Sequence, residues 1–164
     1  HKNFWDITED SLDKSMKVFN INKNMKNELL SLYKILSPYP EVRGVLEDLK
    51  KKNFKLAILS NGTPDLLNEL IKSNKLNNLF DDLFSIEEVK IYKPDPRVYE
   101  LPIKKYKIKS DEITFLSANT WDVSGGGNFG YNSIWVNRHN SVFDILDFQP
   151  KNEISNLTQL LDIV

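Results

Sequence analysis

The stretch from Ser117 to Asp122 contains side chains that could bind and activate a small substrate. It follows an apolar run, residues 113–116, that predicts a buried strand. Ser117 and Asn119 are two residues apart at the strand end, so their side chains leave on the same side, and Asp122 would lie in the first turn of the next helix. Ligands of parallel α/β sheets bind at the carboxyl ends of strands, which favours a site here. The structural alternative makes Ser117 and Asn119 turn formers and Asp122 a helix cap.

A second polar cluster, residues 60–62, follows the apolar segment 55–59. Thr63 and the proline after it predict the start of a helix. The Ser60 hydroxyl, the Asn61 amide and the unpaired backbone N–H groups of the helix start could together hold an anion such as a carboxylate. A plain N-capping loop is the alternative interpretation.

The third cluster surrounds Lys93, which lies between an aromatic residue and a Pro-Asp-Pro sequence that predicts a helix start. These rigid neighbours would hold the ammonium near the sheet edge, where it could pair with a catalytic carboxylate and lower the pKa of that carboxylate. Tyr99 lies six residues further on, in the first helical turn, and could reach the same pocket. A surface position for Lys93 and core packing for Tyr99 are the alternatives. Three polar clusters at one edge of one sheet favour a shared site.

Composition limits the classes of protein and site that remain. The chain of 164 residues fits one domain, and its 40% hydrophobic residues support a real core. The 22 basic and 23 acidic residues nearly cancel, which argues against nucleic acid or a membrane surface as partner. Having no cysteine and two histidines, the chain has too few soft ligands for a cysteine- or histidine-based metal site. No apolar run approaches the roughly 20 residues of a membrane span, and we predict a cytoplasmic protein.

The polar clusters require a sheet with helices on both faces to position them. Residues 1–36 show helical periodicity that ends at two closely spaced prolines, so we predict a partial helical cap over 1–37 and an α/β core over 38–164. In the core, apolar runs alternate with amphipathic helices, which predicts a parallel sheet. The predicted strands are 55–59, 83–86, 113–116 and 133–136.

Two local predictions concern helices. Thr8 is the predicted N-cap of the first helix. Glycines occupy positions 125–127 after Asp122. Because each glycine costs about 1 kcal/mol relative to alanine inside a helix, this helix is predicted to start late or to fray.

The order of the motifs resembles the haloacid dehalogenase superfamily, and closely its L-2-haloacid dehalogenase (type II) family. The resemblance is carried by residues 59–64 (Leu-Ser-Asn-Gly-Thr-Pro), 89–99 (Val-Lys-Ile-Tyr-Lys-Pro-Asp-Pro-Arg-Val-Tyr), 117–122 (Ser-Ala-Asn-Thr-Trp-Asp) and 135–138 (Trp-Val-Asn-Arg). It implies a Rossmann-like parallel sheet with a helical cap, a small 2-haloalkanoic acid as substrate and no cofactor, and it allows a homodimer.

The resemblance also implies a reaction. An aspartate attacks the carbon that bears the halogen by an SN2 displacement, and water then hydrolyses the aspartyl ester, so that an (S)-2-haloacid becomes an (R)-2-hydroxyacid. Ser60 would bind the substrate carboxylate, and Asn61 would help to hold the departing halide. Lys93 would keep the nucleophilic aspartate ionised.

Further residues would complete the pocket by the same resemblance: Tyr99, Ser117, Asn119 and Asp122, with Asn119 and Asp122 positioning the hydrolytic water and Trp121 forming a wall. Phosphatases of the superfamily are the alternative. They bind Mg²⁺ with carboxylates, typically through a Gly-Asp pair where this chain has alanine followed by Asn119. Because Mg²⁺ favours charged oxygen ligands, the neutral Asn119 predicts a metal-free reaction and favours a dehalogenase.

The family's nucleophile lies at the end of the first, central strand in an Asp-x-x-Gly-Thr type motif, and the 164 residues contain no such motif. We therefore expect a truncated chain that lacks the N-terminal nucleophile segment and is inactive by itself. We also expect marginal stability, because each buried backbone group left unpaired beside a missing central strand costs about 1–3 kcal/mol. A non-catalytic remnant that binds small carboxylates or a partner is the third interpretation.

Overall fold

The computed structural model describes residues 1–164 and divides into two compact units. Unit 1 comprises His1–Tyr39 and Lys55–Lys90, and unit 2 comprises Pro40–Phe54 and Ile91–Val164. None of the helices is both long enough and apolar enough to cross a membrane. The sequence-based division into a cap and a core stays a prediction.

Helices and strands alternate along most of the chain. The α-helices are α1 (Phe4–Val18), α2 (Lys26–Leu32), α3 (Val42–Lys51), α4 (Pro64–Ser73), α5 (Pro96–Tyr106) and α6 (Thr120–Phe129). The strands are β1 (Ala57–Ser60), β2 (Asp82–Ser85), β3 (Thr114–Ser117), β4 (Asn132–Val136) and β5 (Asn152–Ile154). Short 3₁₀ helices cover Lys23–Met25, Ile86–Glu88, Ser110–Glu112 and Leu157–Asp162.

All strand pairs are parallel, which confirms the predicted α/β class. Unit 1 contains a two-stranded sheet in the order β1-β2, and unit 2 contains a three-stranded sheet in the order β3-β4-β5. The four predicted strands exist and are displaced by one or two residues. Strand β5 was not predicted, because it has three residues and only Ile154 among them is buried.

The first helix begins earlier than the sequence predicted. Helix α1 starts at Phe4, and Asn3 caps it by accepting a 2.9 Å hydrogen bond from the backbone N–H of Asp6. Thr8 lies inside the helix, where its hydroxyl donates to the Phe4 carbonyl at 2.8 Å. The prediction of Thr8 as N-cap is therefore wrong, since Asn3, five residues upstream, caps the first turn.

The apolar side chains of unit 1 pack between its helices and its two strands. Helix α4 begins at Pro64, and its N-cap Thr63 accepts a 3.4 Å hydrogen bond from the backbone N–H of Leu66, as predicted. The helix buries one face, because its apolar residues recur at helical spacing. Its buried residues are Leu66, Leu67 and Ile71, and Phe84 of β2 and the following Ile86 are buried as well.

An aromatic cluster fills the core of unit 2. Tyr99 of α5 is fully buried and contacts Phe115 of β3 edge-on, with 5.8 Å between ring centroids. It also packs against Phe129 at 5.8 Å and Tyr131 at 5.9 Å. The edge-to-face pairs with Phe115 and Tyr131 add stabilisation beyond the burial of apolar area. The cluster joins α5, α6 and β3, which carry Tyr99, Asp122 and Ser117 of the predicted site.

The prediction that the glycines weaken helix α6 is wrong. The helix starts at Thr120 and runs through Gly125, Gly126 and Gly127 to Phe129. A Cβ atom on Gly126 would lie 2.7 Å from Cδ1 of Phe115, and one on Gly127 would lie 2.3 Å from Cε1 of Phe148. The glycines therefore allow α6 to approach its neighbours more closely than any residue with a side chain could, and this packing offsets their low helix propensity.

Gly44 provides a contrasting case and a prediction. It lies in the exposed first turn of α3, and a Cβ atom there would meet nothing within 4 Å. Replacement of Gly44 by alanine should raise the free energy of unfolding by about 0.5–1 kcal/mol, since alanine loses less backbone entropy on folding. Urea-induced unfolding measures the change. The same replacement at Gly126 is the control, and overpacking there should cost about 1–3 kcal/mol.

Candidate active site

A buried network of three side chains forms the centre of the candidate site in unit 2. The Lys93 ammonium lies 3.0 Å from Oδ2 of Asp122, and the Tyr99 hydroxyl donates to Oδ1 of Asp122 at 2.8 Å. The side chains of Lys93 and Asp122 are each only 6% exposed. Buried charges require partners of this kind, because an unpaired charge in the interior is costly. The network therefore holds one carboxylate and one ammonium in fixed positions.

Three sequence elements converge to form the network. Lys93 precedes Pro94, to which it is joined by a cis peptide bond. Helix α5 then starts at Pro96 behind its N-cap Asp95, as predicted, and directs Tyr99 inward from its first turn. Asp122 is the third residue of α6, where the helix N-terminus favours its negative charge.

The surroundings of the network determine its protonation. Burial lowers the pKa of Lys93 below its ordinary value, and the charge of Asp122 and its hydrogen bond act in the opposite direction. The Lys93 ammonium also lies 5.1 Å from the centre of the Phe115 ring, a favourable position for a cation. Burial raises the pKa of Tyr99, and the neighbouring charge of Asp122 raises it further. Tyr99 therefore stays protonated at neutral pH and donates its proton to the carboxylate.

The loop between β3 and α6 tests whether Ser117 and Asn119 are turn formers and whether Asp122 is a helix cap. Oγ of Ser117 accepts a 3.2 Å hydrogen bond from the backbone N–H of Asn119, which is the arrangement of a turn-forming serine. Asn119 occupies the N-cap position of α6, but its exposed side chain makes no capping hydrogen bond. Asp122 is not a helix cap, since its carboxylate binds Lys93 and Tyr99. The Asn119 amide is thus not used by the helix start.

Side chains of β4 and of the segment after it contact this loop and hold it in position. Nε1 of Trp135 donates a 3.1 Å hydrogen bond to the carbonyl of Ala118, and Phe143 packs edge-on against the Trp135 ring. The Thr120 hydroxyl donates to Asp144 in the segment after β4. Trp121, the predicted wall, is 40% exposed. Sequence reasoning missed the role of Trp135 in positioning the loop. The motif 135–138 draws attention to this residue, but a sequence does not reveal the direction of the indole N–H.

In unit 1, the predicted anion-binding loop follows β1. Oγ of Ser60 accepts a 3.0 Å hydrogen bond from the backbone N–H of Gly62, so its own proton can still be donated. Asn61 is half-buried beside it. The buried Ser85, which pairs with Ser60 across the sheet, donates from its hydroxyl to the Gly62 carbonyl at 2.7 Å. Sequence reasoning missed Ser85, and its position at the end of a predicted strand was the only signal.

Known proteins of similar sequence show to which family the chain belongs. A family model described as haloacid dehalogenase-like hydrolase matches residues 2–136. (S)-2-haloacid dehalogenase 4A of Burkholderia cepacia is 35% identical over 98% of this chain and 70% of its own length. (S)-2-haloacid dehalogenase 1 of Pseudomonas sp. strain CBS-3 is 36% identical over 98% of this chain and 71% of its own. The chain belongs to the L-2-haloacid dehalogenase family of the haloacid dehalogenase superfamily.

The fold agrees with this family. The crystal structure of an L-2-haloacid dehalogenase aligns with a TM-score of 0.96 and 32% identity, and covers 100% of this chain and 73% of that one. Within this L-2-haloacid dehalogenase family member, Lys93 and Tyr99 each contact Asp122. Ser117 ends β3, and its hydroxyl accepts from the backbone of Asn119 in the following loop. The roles predicted for these residues stay predictions, as do those of the two residues after β1 and of Trp121.

Two further features of this family member concern the reaction. The carboxyl ends of β1, β2 and β3 carry Ser60, Ser85 and Ser117, and none carries an aspartate. No group of three or more acidic or histidine side chains is arranged to hold a metal ion. The carboxylate of the candidate site that is buried is that of Asp122, which Lys93 and Tyr99 bind.

Proposed function

We propose that this protein contributes the active site of a hydrolase that converts (S)-2-haloacids into (R)-2-hydroxyacids through an aspartyl-ester intermediate. The observation that carries the proposal is the buried network in which Lys93 and Tyr99 bind the two oxygens of Asp122. Asp122 lies three residues after the neutral Asn119, the N-cap residue of α6. The names of the relatives, (S)-2-haloacid dehalogenases, support the same reaction class.

The network suits the hydrolysis of an ester. A carboxylate whose oxygens are fixed by two donors can orient a water molecule without itself moving, and preorganised groups of this kind lower the barrier. We assign the positioning of that water to Asp122 and Asn119, with Ser117 and Tyr99 completing the pocket. Lys93 supplies the positive charge that keeps the nucleophilic aspartate ionised.

Substrate binding falls to other residues in this proposal. Ser60 retains a donatable proton and ends β1, in front of the loop that leads into the start of helix α4, where backbone N–H groups favour an anion, so it binds the substrate carboxylate. Asn61 holds the departing halide. Trp121 contributes an apolar wall against the substrate's carbon atoms.

The nucleophile in this proposal comes from outside the 164 residues. Strands β1, β2 and β3 end in serines, none of the five strands ends in an aspartate, and the sequence contains no Asp-x-x-Gly-Thr motif. Asp122 is the one aspartate in the network, and Lys93 and Tyr99 already bind its two carboxylate oxygens. We therefore do not assign it the role of nucleophile. The 164 residues by themselves should therefore release no halide.

A completed protein tests the proposal. It consists of the 164 residues preceded by the N-terminal segment of the Burkholderia cepacia relative that carries the family's nucleophile motif. We expect it to release chloride from (S)-2-chloropropionate without added metal and to form (R)-lactate, whereas the 164 residues alone and a completed protein with the nucleophile aspartate replaced by asparagine release none. Magnesium-dependent release of phosphate from p-nitrophenyl phosphate without chloride release would contradict the proposal and favour a phosphatase.

Metal independence, the absence of a cofactor, a cytoplasmic location and a homodimer belong to the same proposal. Independence from metal is supported by Asn119, because a neutral amide is a poor substitute for the carboxylates that Mg²⁺ favours. Chloride release that is unchanged in the presence of EDTA would support it, and loss of activity on chelation would contradict it.

A further inference from the structure

We propose that Gly125 is a positioning residue that sets the geometry of the Lys93–Asp122–Tyr99 network. It lies in α6 three residues after Asp122, on the same side of the helix. A Cβ atom on Gly125 would lie 2.6 Å from the Tyr99 hydroxyl oxygen and 2.7 Å from Cβ of Pro94. Both distances are far below van der Waals contact. Only glycine thus allows the helix to approach Tyr99, which binds Asp122, and Pro94, which follows Lys93, at the same time.

Neither neighbour can move aside without cost. Tyr99 is fully buried and enclosed by Phe115, Phe129 and Tyr131, with ring centroids 5.8–5.9 Å away. Its backbone carbonyl also accepts a hydrogen bond from the hydroxyl of Tyr131. Pro94 is a rigid ring, and displacing it displaces the backbone of Lys93. An added methyl group would therefore push α6 away from the residues that bind its carboxylate.

A small displacement would be sufficient to break the network. The two contacts of Asp122 measure 3.0 Å to Lys93 and 2.8 Å to Tyr99. Hydrogen bonds and ion pairs of this kind weaken steeply once the atoms separate by more than about 3.5 Å. Moving α6 outward by about 1 Å, as a Cβ atom on Gly125 requires, would reach that limit at both contacts. The carboxylate would then lose the orientation on which the hydrolytic step depends.

The neighbouring glycines separate this role from packing in general. A Cβ atom on Gly127 would meet Phe148 at 2.3 Å, a clash at least as severe as that at Gly125 but with a residue outside the network. Gly127→Ala is therefore a matched control in the same helix. Gly126 is less suitable, because its neighbour Phe115 lies against both Tyr99 and Lys93.

The kinetic part of the test rests on the proposed function, and its spectroscopic part does not. Gly125→Ala and Gly127→Ala are introduced into the completed protein, and kcat and KM for (S)-2-chloropropionate are measured. We expect Gly125→Ala to lower kcat by about 100-fold with little change in KM, because a catalytic group displaced by about 1 Å loses this much. Gly127→Ala should lower the melting temperature and leave kcat close to that of the parent protein.

NMR signals of labelled lysine and tyrosine side chains provide the independent measurement. The signals of Lys93 and Tyr99, assigned with Lys93→Met and Tyr99→Phe, should shift in Gly125→Ala and stay in place in Gly127→Ala. Equal losses of kcat in the two glycine variants, or unshifted signals in Gly125→Ala, would overturn the proposal. If no form of the completed protein releases halide, the proposed function fails while the NMR comparison still decides the role of Gly125.

A double variant covers the case in which Gly125→Ala folds poorly. Tyr99→Phe removes the oxygen atom that the new methyl group would meet first. Tyr99→Phe should therefore lower the melting temperature of the parent protein, and of Gly127→Ala, but not that of Gly125→Ala. Equal losses in all three backgrounds would show that Gly125 does not act through Tyr99.

Discussion

Replacement of Asp122 by asparagine should lower the free energy of unfolding by about 3–5 kcal/mol, because removing one partner of a buried ion pair leaves the other charge uncompensated. The remaining charge is the Lys93 ammonium, whose side chain is 6% exposed and which lies 3.0 Å from Asp122. Asparagine keeps the size of the side chain and an oxygen that can accept from Tyr99, so the effect isolates the charge. Urea-induced unfolding at pH 7 measures it.

Two controls distinguish a buried pair from an exposed one. Asp95 forms a 2.8 Å ion pair with Arg97, and that pair lowers the pKa of Asp95 to about 2 although the Arg97 side chain is 61% exposed. Asp95→Asn should shift the urea midpoint little, since solvent screens this pair and asparagine can still cap α5. Adding Lys93→Met to Asp122→Asn should restore part of the lost stability. Equal shifts for the replacements at positions 95 and 122 would contradict the burial argument.

The second large effect is expected at Arg138. Its guanidinium lies 2.6 Å from Oε1 of Glu41, and the two side chains are 14% and 12% exposed. The same carboxylate accepts a 3.5 Å hydrogen bond from the backbone N–H of Leu157. Replacing Arg138 by methionine should cost about 3 kcal/mol at pH 7, because the Glu41 carboxylate then stays in a mostly buried position without its cation. Urea-induced unfolding of the variant and the parent protein gives the difference.

The cost at Arg138 should depend on pH. Burial by itself raises the pKa of Glu41, but hydrogen bonds from its own backbone N–H, Arg138 and Leu157 outweigh burial and lower it below 4.5. A carboxyl with a lowered folded pKa contributes stability that is fully present above its unfolded pKa and is lost as the pH falls through the folded pKa. The difference between Arg138→Met and the parent protein should therefore be largest at neutral pH and shrink below about pH 4.5.

An exposed pair serves as the control for Arg138. Arg43 and Glu47 lie 3.7 Å apart on α3, and their side chains are 45% and 46% exposed. Arg43→Met should lower the free energy of unfolding by less than about 1 kcal/mol, as exposed helix pairs generally do. A loss for Arg138→Met that stays constant from pH 7 to pH 3 would show that packing, not the pairing with Glu41, accounts for it.

Features determined by short stretches of sequence could be predicted well. The strand ending at Ser60, the helix start at Thr63 and Pro64, and the second start at Asp95 and Pro96 all depend on the apolar run or capping residues within a few positions. The parallel pairing follows from the alternation of strands and helices, since consecutive parallel strands need a crossover. The family could be inferred from four motifs in order, and the similarity to known dehalogenases confirms it.

Other features depend on residues that are distant in the chain, and the local sequence did not predict them correctly. Gly125, Gly126 and Gly127 predict a frayed helix from propensity alone. The helix nevertheless runs to Phe129, because it packs closely against Tyr99, Phe115 and Phe148, where no side chain would fit. Strand β5 is too short and too polar to be seen in sequence, and it exists because β4 offers it a partner.

The sequence by itself therefore determined the α/β class, most helix starts, the family and the set of candidate residues, because each depends on the order and type of nearby residues. The tertiary structure alone decided what those residues do to one another. It placed the charge of Lys93 against Asp122 rather than leaving it at the surface, and it used Asp122 to bind Lys93 and Tyr99 rather than to cap a helix. The physical reason is burial, since paired charges in an interior depend on contacts between residues up to 29 positions apart.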